Sequence, residues 1–291
     1  EYNFATFGWD EGELVDAIDI VDAQGDAATL GSGLTPLYLT YRHYPVDDPK
    51  VTGAYGEWKD YNAYSDFISS EGVPVFYARV DHVSVPLAKE GTGQVVVDFT
   101  PEPLTQDVSF VFHIEKTADV VVDSLTAEIS GIPSTMELTT GLILAQKTYK
   151  LLFRPTYAAL PSAADSASAE ALRCEASVNI PGIVRSHTED MVTGPGILQI
   201  AIYTHYDYEE EGTQRKAAKV FHAGINLYHT LKERKSLQWD EEENGYRQAS
   251  RSITVEIGSP LNIDKDGILN GGSTSTGLDQ WIPGETFEIE V

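Results

Sequence analysis

Apolar residues recur at every second position in nearly every ordered stretch of this chain, a period that fits half-buried strands and not amphipathic helices. Leu37-Tyr-Leu-Thr-Tyr-Arg42, Val73-Pro-Val-Phe-Tyr-Ala-Arg-Val80, Gln94-Val-Val-Val-Asp-Phe99, Val108-Ser-Phe-Val-Phe-His-Ile114 and the run from Val120 to Ile129 all carry it. So do Tyr149 to Arg154, Glu175 to Ile180, Ile197 to Tyr206, Ala217 to Ala223, Ile253 to Ile257 and Phe287 to Val291. The 15 Tyr and 10 Phe suit such strands, because aromatic rings pack well on a pleated surface. Turn signals separate them at Gly31-Ser-Gly33, Pro45, Asp48-Pro49 and Lys89-Glu-Gly-Thr-Gly93. Short helices are expected only as insertions, at Lys59 to Ser70 and Leu227 to Leu237, with Pro161 to Glu170 either a mobile loop or a further short helix. The fold class is therefore all-β with short helical insertions.

Thr100-Pro-Glu-Pro103 interrupts this pattern, since two prolines cannot sit inside a sheet ladder. With 291 residues there is room for two domains, expected over 1–103 and 104–291. In the second, acidic Asp207 to Gly212 reads as the connection of a long hairpin, and Asp240-Glu-Glu-Glu-Asn-Gly245 as a solvated return.

The charge balance, 20 basic against 45 acidic residues for a net −25, disfavours nucleic acid and anionic membrane surfaces as partners. Cys174 is the single cysteine, so an intrachain disulfide and a thiolate metal cluster are both excluded; it reads as a small buried hydrophobe. No run of about 18 apolar residues is present to span a membrane as a helix. The opening Glu1-Tyr-Asn-Phe-Ala-Thr-Phe7 alternates as if the numbering began inside a strand. A processed segment carrying a signal peptide or lipidated cysteine is expected upstream of it.

Catalytic motifs are missing: no Gly-x-Ser-x-Gly elbow, His-Glu-x-x-His, phosphate loop or dinucleotide fingerprint occurs. His205 and His222 are placed to face each other across the long hairpin, but zinc would need further ligands that the sequence does not supply. The best local chemical signal is Asn262-Ile-Asp264-Lys-Asp266-Gly267, with oxygen ligands at alternate positions before a glycine, like the first half of a calcium loop. Ser273 stands where the bidentate Glu of such a loop belongs, so the competing reading is a turn stabilised by side-chain oxygens. No cofactor is expected, calcium at Asn262, Asp264 and Asp266 being the one candidate. Trp9, Trp58, Trp239 and Trp281 sit beside acidic, glycine-rich or turn-like sequence and are the candidate platforms for a sugar ring, against plugging roles at the ends of a sandwich.

Two stretches carry a family likeness. The strand Val108 to Ile114, followed by Ala127-Glu-Ile-Ser-Gly-Ile-Pro133 and Met136-Glu-Leu-Thr-Thr-Gly141, resembles the second-domain opening of the fimbrillin-like proteins of Bacteroidales, in the branch of minor fimbrial anchor and tip-associated components. The strand Ile253 to Ile257, the excursion around Gly271-Gly272, Trp281 and the ending Phe287 to Val291 resemble that branch's C-terminus. Tyr2-Asn-Phe-Ala-Thr-Phe7 resembles the strand that follows its opening strand and turn. The resemblance implies two tandem transthyretin-like β-sandwich domains, lipoprotein export, display at the outer-membrane surface and no enzyme activity. It implies work by assembly and adhesion, with other fimbrial subunits, or a host or bacterial surface protein or glycan, as partners. Strand addition is the expected mechanism: an open sheet edge receives an extended donor. The expected contact positions are Tyr2 and Phe4 at one end, and Phe287, Ile289 and Val291, which share one strand face, at the other; the competing reading of both strands is ordinary pairing within their own domains. The alternative expectation is a glycan-binding outer-membrane surface lipoprotein.

Overall fold

The computed structural model describes residues 2–9, 18–27, 36–45, 47–49, 67–68, 74–84, 95–160, 169–184, 196–234, 236–242, 244–248, 250–269 and 281–289. The described elements begin with β1 (Tyr2–Trp9), β2 (Ile18–Val21), β3 (Tyr38–Tyr41), β4 (His43–Tyr44), β5 (Phe67–Ile68), β6 (Val75–Val83) and β7 (Glu102–Pro103). Six longer strands, with the short β11 among them, follow: β8 (Gln106–Thr117), β9 (Val120–Glu137), β10 (Leu142–Phe153), β11 (Thr156–Ala159), β12 (Ala169–Ile180), β13 (Ile197–Glu210) and β14 (Thr213–Asn226). A helix, α1 (Tyr228–Arg234), precedes β15 (Leu237–Asp240), β16 (Gly245–Gln248), β17 (Ser252–Glu256), β18 (Leu261–Ile263) and β19 (Ile282–Ile289).

The expectation of short helical insertions is overturned, because the ordered elements among the described residues are almost entirely β strands. Of the three candidate segments, Lys59 to Ser70 contributes strand β5 and Pro161 to Glu170 leads into β12, their other residues lying outside the described ones. What remains is α1, 7 residues long, which links β14 to β15 and is held by buried Leu231. So short a helix has no stability of its own and persists only as a packed connection within a β fold.

The strands form an 11-stranded sheet, a 5-stranded sheet and a 3-stranded sheet. The first two face each other as a sandwich. Phe110 on β8 stacks on Phe153 on β10 across the gap, with ring centroids 5.4 Å apart. One core cluster joins Val108, Phe112 and Ile114 of the smaller sheet to Ile129, Leu151, Ile200 and Phe221 of the larger. The 3-stranded sheet has the order β1-β6-β7, so Thr100–Pro103 holds a strand paired to β6. Hydrogen bonding also links early and late sequence: Tyr38↔Glu137 pairs β3 with β9, and Lys150↔Phe67 pairs β10 with β5.

Strand β9 organises the large sheet. Its first residues alternate between buried and exposed, but from Leu125 to Ser134 every residue is buried. That length is covered on both faces, so Thr126, Glu128 and Ser130 are enclosed although their face would be solvated in a simple sandwich. Glu128 meets this by accepting a 3.0 Å hydrogen bond from Lys150 Nζ, and the ammonium also lies 5.7 Å from the Phe67 ring centroid. Gly131, at φ 89°, is the residue left unpaired at one of the two register shifts between β9 and β10, where Tyr149 pairs with Ile132 and Lys150 with Ser130.

Candidate functional site

The large sheet has the order β15-β16-β10-β9-β13-β14-β19, so β19 closes one end and β15 the other. Along β19, Phe287 stands opposite Val220 and Ile289 opposite Ala218 of β14. Its far edge has no partner among the described residues. An antiparallel edge strand directs about half its N–H and C=O groups away from its neighbour, ready to accept a further strand. The 8-residue β19 also carries Pro283, Glu285 and Glu288, residues typical of edges that do not pair indiscriminately. In the other expected edge, Tyr2 lies opposite Val83 and Phe4 opposite Val80, with a bulge between them. These positions belong to the 3-stranded sheet, so the structure does not bring them into one sheet with Phe287 and Ile289. Val291 lies outside the described residues.

Beside β19 stands a projecting ribbon. Strands β13 and β14 pair without interruption from Ile197↔Asn226 to Glu210↔Thr213. Glu211 and Gly212 then close the hairpin at φ 50° and 76°, the two left-handed residues of a type I′ turn. Sequence reading placed the connection over Asp207 to Gly212; the strands instead continue through the acidic residues. Among the described residues, strand β9 accompanies β13 as far as Tyr206↔Val120, and β19 accompanies β14 as far as Ala218↔Ile289. The pairs from Asp207↔Lys216 outward therefore extend past both neighbours, with every residue exposed. Arg215 and Glu210 form a 2.7 Å ion pair across the ribbon. At its root, His205 Nδ1 lies 2.8 Å from Asp123 Oδ1, and Lys219 Nζ donates to the Lys265 carbonyl at 2.9 Å. His205 stands opposite Ala218 and His222 opposite Ala201, so the two histidines do not form a cross-strand pair.

The calcium-like segment is a local turn. Asp264 Oδ1 accepts hydrogen bonds from the backbone N–H of Asp266 at 2.8 Å and of Gly267 at 2.9 Å. Leu269 N–H donates to the Asn262 carbonyl, and Asp266 lies 3.7 Å from Lys265 Nζ. Asn262, Asp264 and Asp266 thus share a turn in which an aspartate oxygen substitutes for backbone pairing. Among the described residues, no group of three or more His, Cys, Asp or Glu is disposed to hold a metal ion. No helix among them is long and apolar enough to cross a membrane. Cys174 is buried, and burial pushes its thiol up to about 12, far from the range of a reactive thiolate.

The tryptophans divide. Trp281 is 4% exposed, donates from Nε1 to the Ser259 carbonyl and meets Phe112 edge-on: it plugs the sandwich. Trp239, on β15, is 44% exposed. Trp9 pairs through its backbone with Val75, and Trp58 lies outside the described residues.

No family model and no curated protein matches the sequence. Two solved structures, each of a "putative adhesin", are similar to the chain. The one from Bacteroides thetaiotaomicron VPI-5482 has a TM-score of 0.40 and 9% identity over 91% of this chain and 71% of that chain. The one from Bacteroides ovatus ATCC 8483 has a TM-score of 0.41 and 10% identity over 91% of this chain and 75% of that chain.

Proposed function

We propose that this protein is a non-enzymatic cell-surface subunit that acts in fimbria assembly and adhesion, docking an extended strand of a neighbouring subunit along the outer edge of β19. One observation carries the reading: the large sheet ends on an 8-residue strand that is paired on one side only among the described residues. Docking there satisfies backbone groups that water otherwise serves, and alternate donor side chains meet the two faces of the sheet edge. The ribbon of β13 and β14 rises beside this edge and limits how a donor can approach. A net charge of −25 keeps free subunits apart, so assembly depends on specific strand pairing and not on general stickiness.

Surface filaments isolated from the native organism test this directly. The chain is expected to co-purify in a fixed, low ratio to a major subunit, and mass spectrometry after zero-length cross-linking is expected to join 282–289 to that partner. Filaments devoid of this chain, or cross-links that avoid β19, would overturn the proposal.

A further inference from the structure

At the opposite end of the large sheet, β15 and β16 form a hairpin in which Trp239 stands directly across from Tyr246. The indole is 44% exposed, a large aromatic area left in water on an edge strand. It is nevertheless held in place. Tyr246 is half-buried against the main core and meets the indole nearly perpendicularly, with centroids 5.0 Å apart and an interplanar angle of 79°. The loop beyond is fixed by Asp240, which accepts from the Glu242 N–H at 3.0 Å and from Arg247 Nε at 3.1 Å. Asn244, at φ 53°, completes the tight return. Glu241, Glu242 and Asn244, in the turn that joins the two strands carrying the aromatic pair, are all exposed.

We infer that Trp239 is a stacking platform for a neutral saccharide, steadied by Tyr246 and served by the exposed Glu241, Glu242 and Asn244 of the adjoining turn. The electron-rich face of an indole complements the weakly positive C–H face of a pyranose ring. The carboxylates of Glu241 and Glu242 and the amide of Asn244 supply hydrogen-bond partners for the ring hydroxyls. The same carboxylates repel sulfated, sialylated or uronate-bearing chains, which selects for uncharged sugars. The patch amounts to one indole and part of a phenol, far below the roughly 800 Å² per partner that a stable protein interface needs. A platform held on a two-stranded hairpin of four residue pairs therefore suits one or two sugar rings. The inference is independent of strand docking, which uses the other end of the sheet.

The test titrates the full chain, by calorimetry and tryptophan emission, with a panel of neutral glucose-, galactose-, mannose- and N-acetylglucosamine-based oligosaccharides and with sulfated and uronate-containing counterparts. At least one neutral oligosaccharide is expected to bind. Trp239→Ala should weaken it about tenfold or more, and Trp239→Phe should weaken it less. Trp239→Ala gives up one cross-strand ring contact with Tyr246, so its thermal midpoint should fall by only a few degrees, about 2–4 °C, and the variant stays folded at the titration temperature, which separates lost binding from lost folding. Failure of every neutral member to bind, preference for the acidic sugars, or unchanged affinity in Trp239→Ala would each overturn the inference.

Discussion

Lys150 and Glu128 show how a single position escapes sequence reading. Each falls between apolar neighbours on an alternating strand, which marks it as solvent-facing, yet both are buried and joined by a 3.0 Å ion pair. Leu152, on the same face as Lys150, was the available hint that this face is also covered. Removing one partner strands a charge in the interior, so Lys150→Met is expected to lower unfolding free energy by about 3–5 kcal/mol. The double change Lys150→Met with Glu128→Leu should recover most of it, to within about 1 kcal/mol; chemical denaturation of the three proteins measures both. Cys174 was legible, an isolated cysteine among apolar residues, and it is buried. Its thiol should resist thiol-modifying reagents in the native protein and react on unfolding. The unfolded thiol ionises near 9.0 while the native one keeps its proton to about 12, so the native state binds more protons in that window. Stability should accordingly be full below 9.0 and fall as pH rises toward about 12, and Cys174→Ala should flatten part of that fall. Tyr41, whose hydroxyl burial also drives upward, contributes in the same direction and leaves the rest of the slope.

Among the elements, β19 was visible as an alternating terminal strand, but its place at the end of the large sheet was not. Successive N–H groups along it point alternately toward β14 and away. A proline scan from Thr286 to Ile289 should therefore separate two classes. Prolines that remove an inward N–H should cost about 3 kcal/mol or more, while those that remove an outward N–H should leave stability nearly unchanged and abolish strand docking. Thermal denaturation beside a cross-linking assay reads the two effects. The ribbon is the complementary case, legible as a hairpin and misjudged in length because acidic residues read as loop. Gly212 and the cross-strand pairs keep Asp207 to Lys216 in register without any core beneath them. Replacing Asp207 to Lys216 by Asn-Gly rejoins Tyr206 to its partner Ala217 through a tight turn. The thermal midpoint should stay within about 2 °C, since surface changes away from core and caps cost little.

For the molecule as a whole, β19 pairs with β14 alone among the described residues, so it should be removable and replaceable. A chain ending at Trp281 is expected to show a lower thermal midpoint than the full chain and to self-associate through the bared edge of β14. A synthetic peptide of residues 282–291 should restore the midpoint; no rescue would show that β14 does not accept a strand in trans. The β class, the strand positions in the second half, the buried cysteine and the absence of a helical framework were readable from residue order, because period-two alternation and turn chemistry act over a few neighbours. The helical expectations at Lys59 to Ser70 and Pro161 to Glu170 were misread because short segments rich in Ser, Ala and Tyr carry no decisive period; among the described residues only Leu227 to Leu237 holds a helix, the 7-residue α1. Three features needed the folded chain: the pairing of β2 to β5 into the large sheet, the double-sided burial of β9, and the contrast between Trp281 as a plug and Trp239 as an exposed face. Local alternation fixes which side of a strand is apolar, whereas strand order and second-face cover depend on contacts between residues far apart in sequence, and these decide which edges and which rings meet solvent.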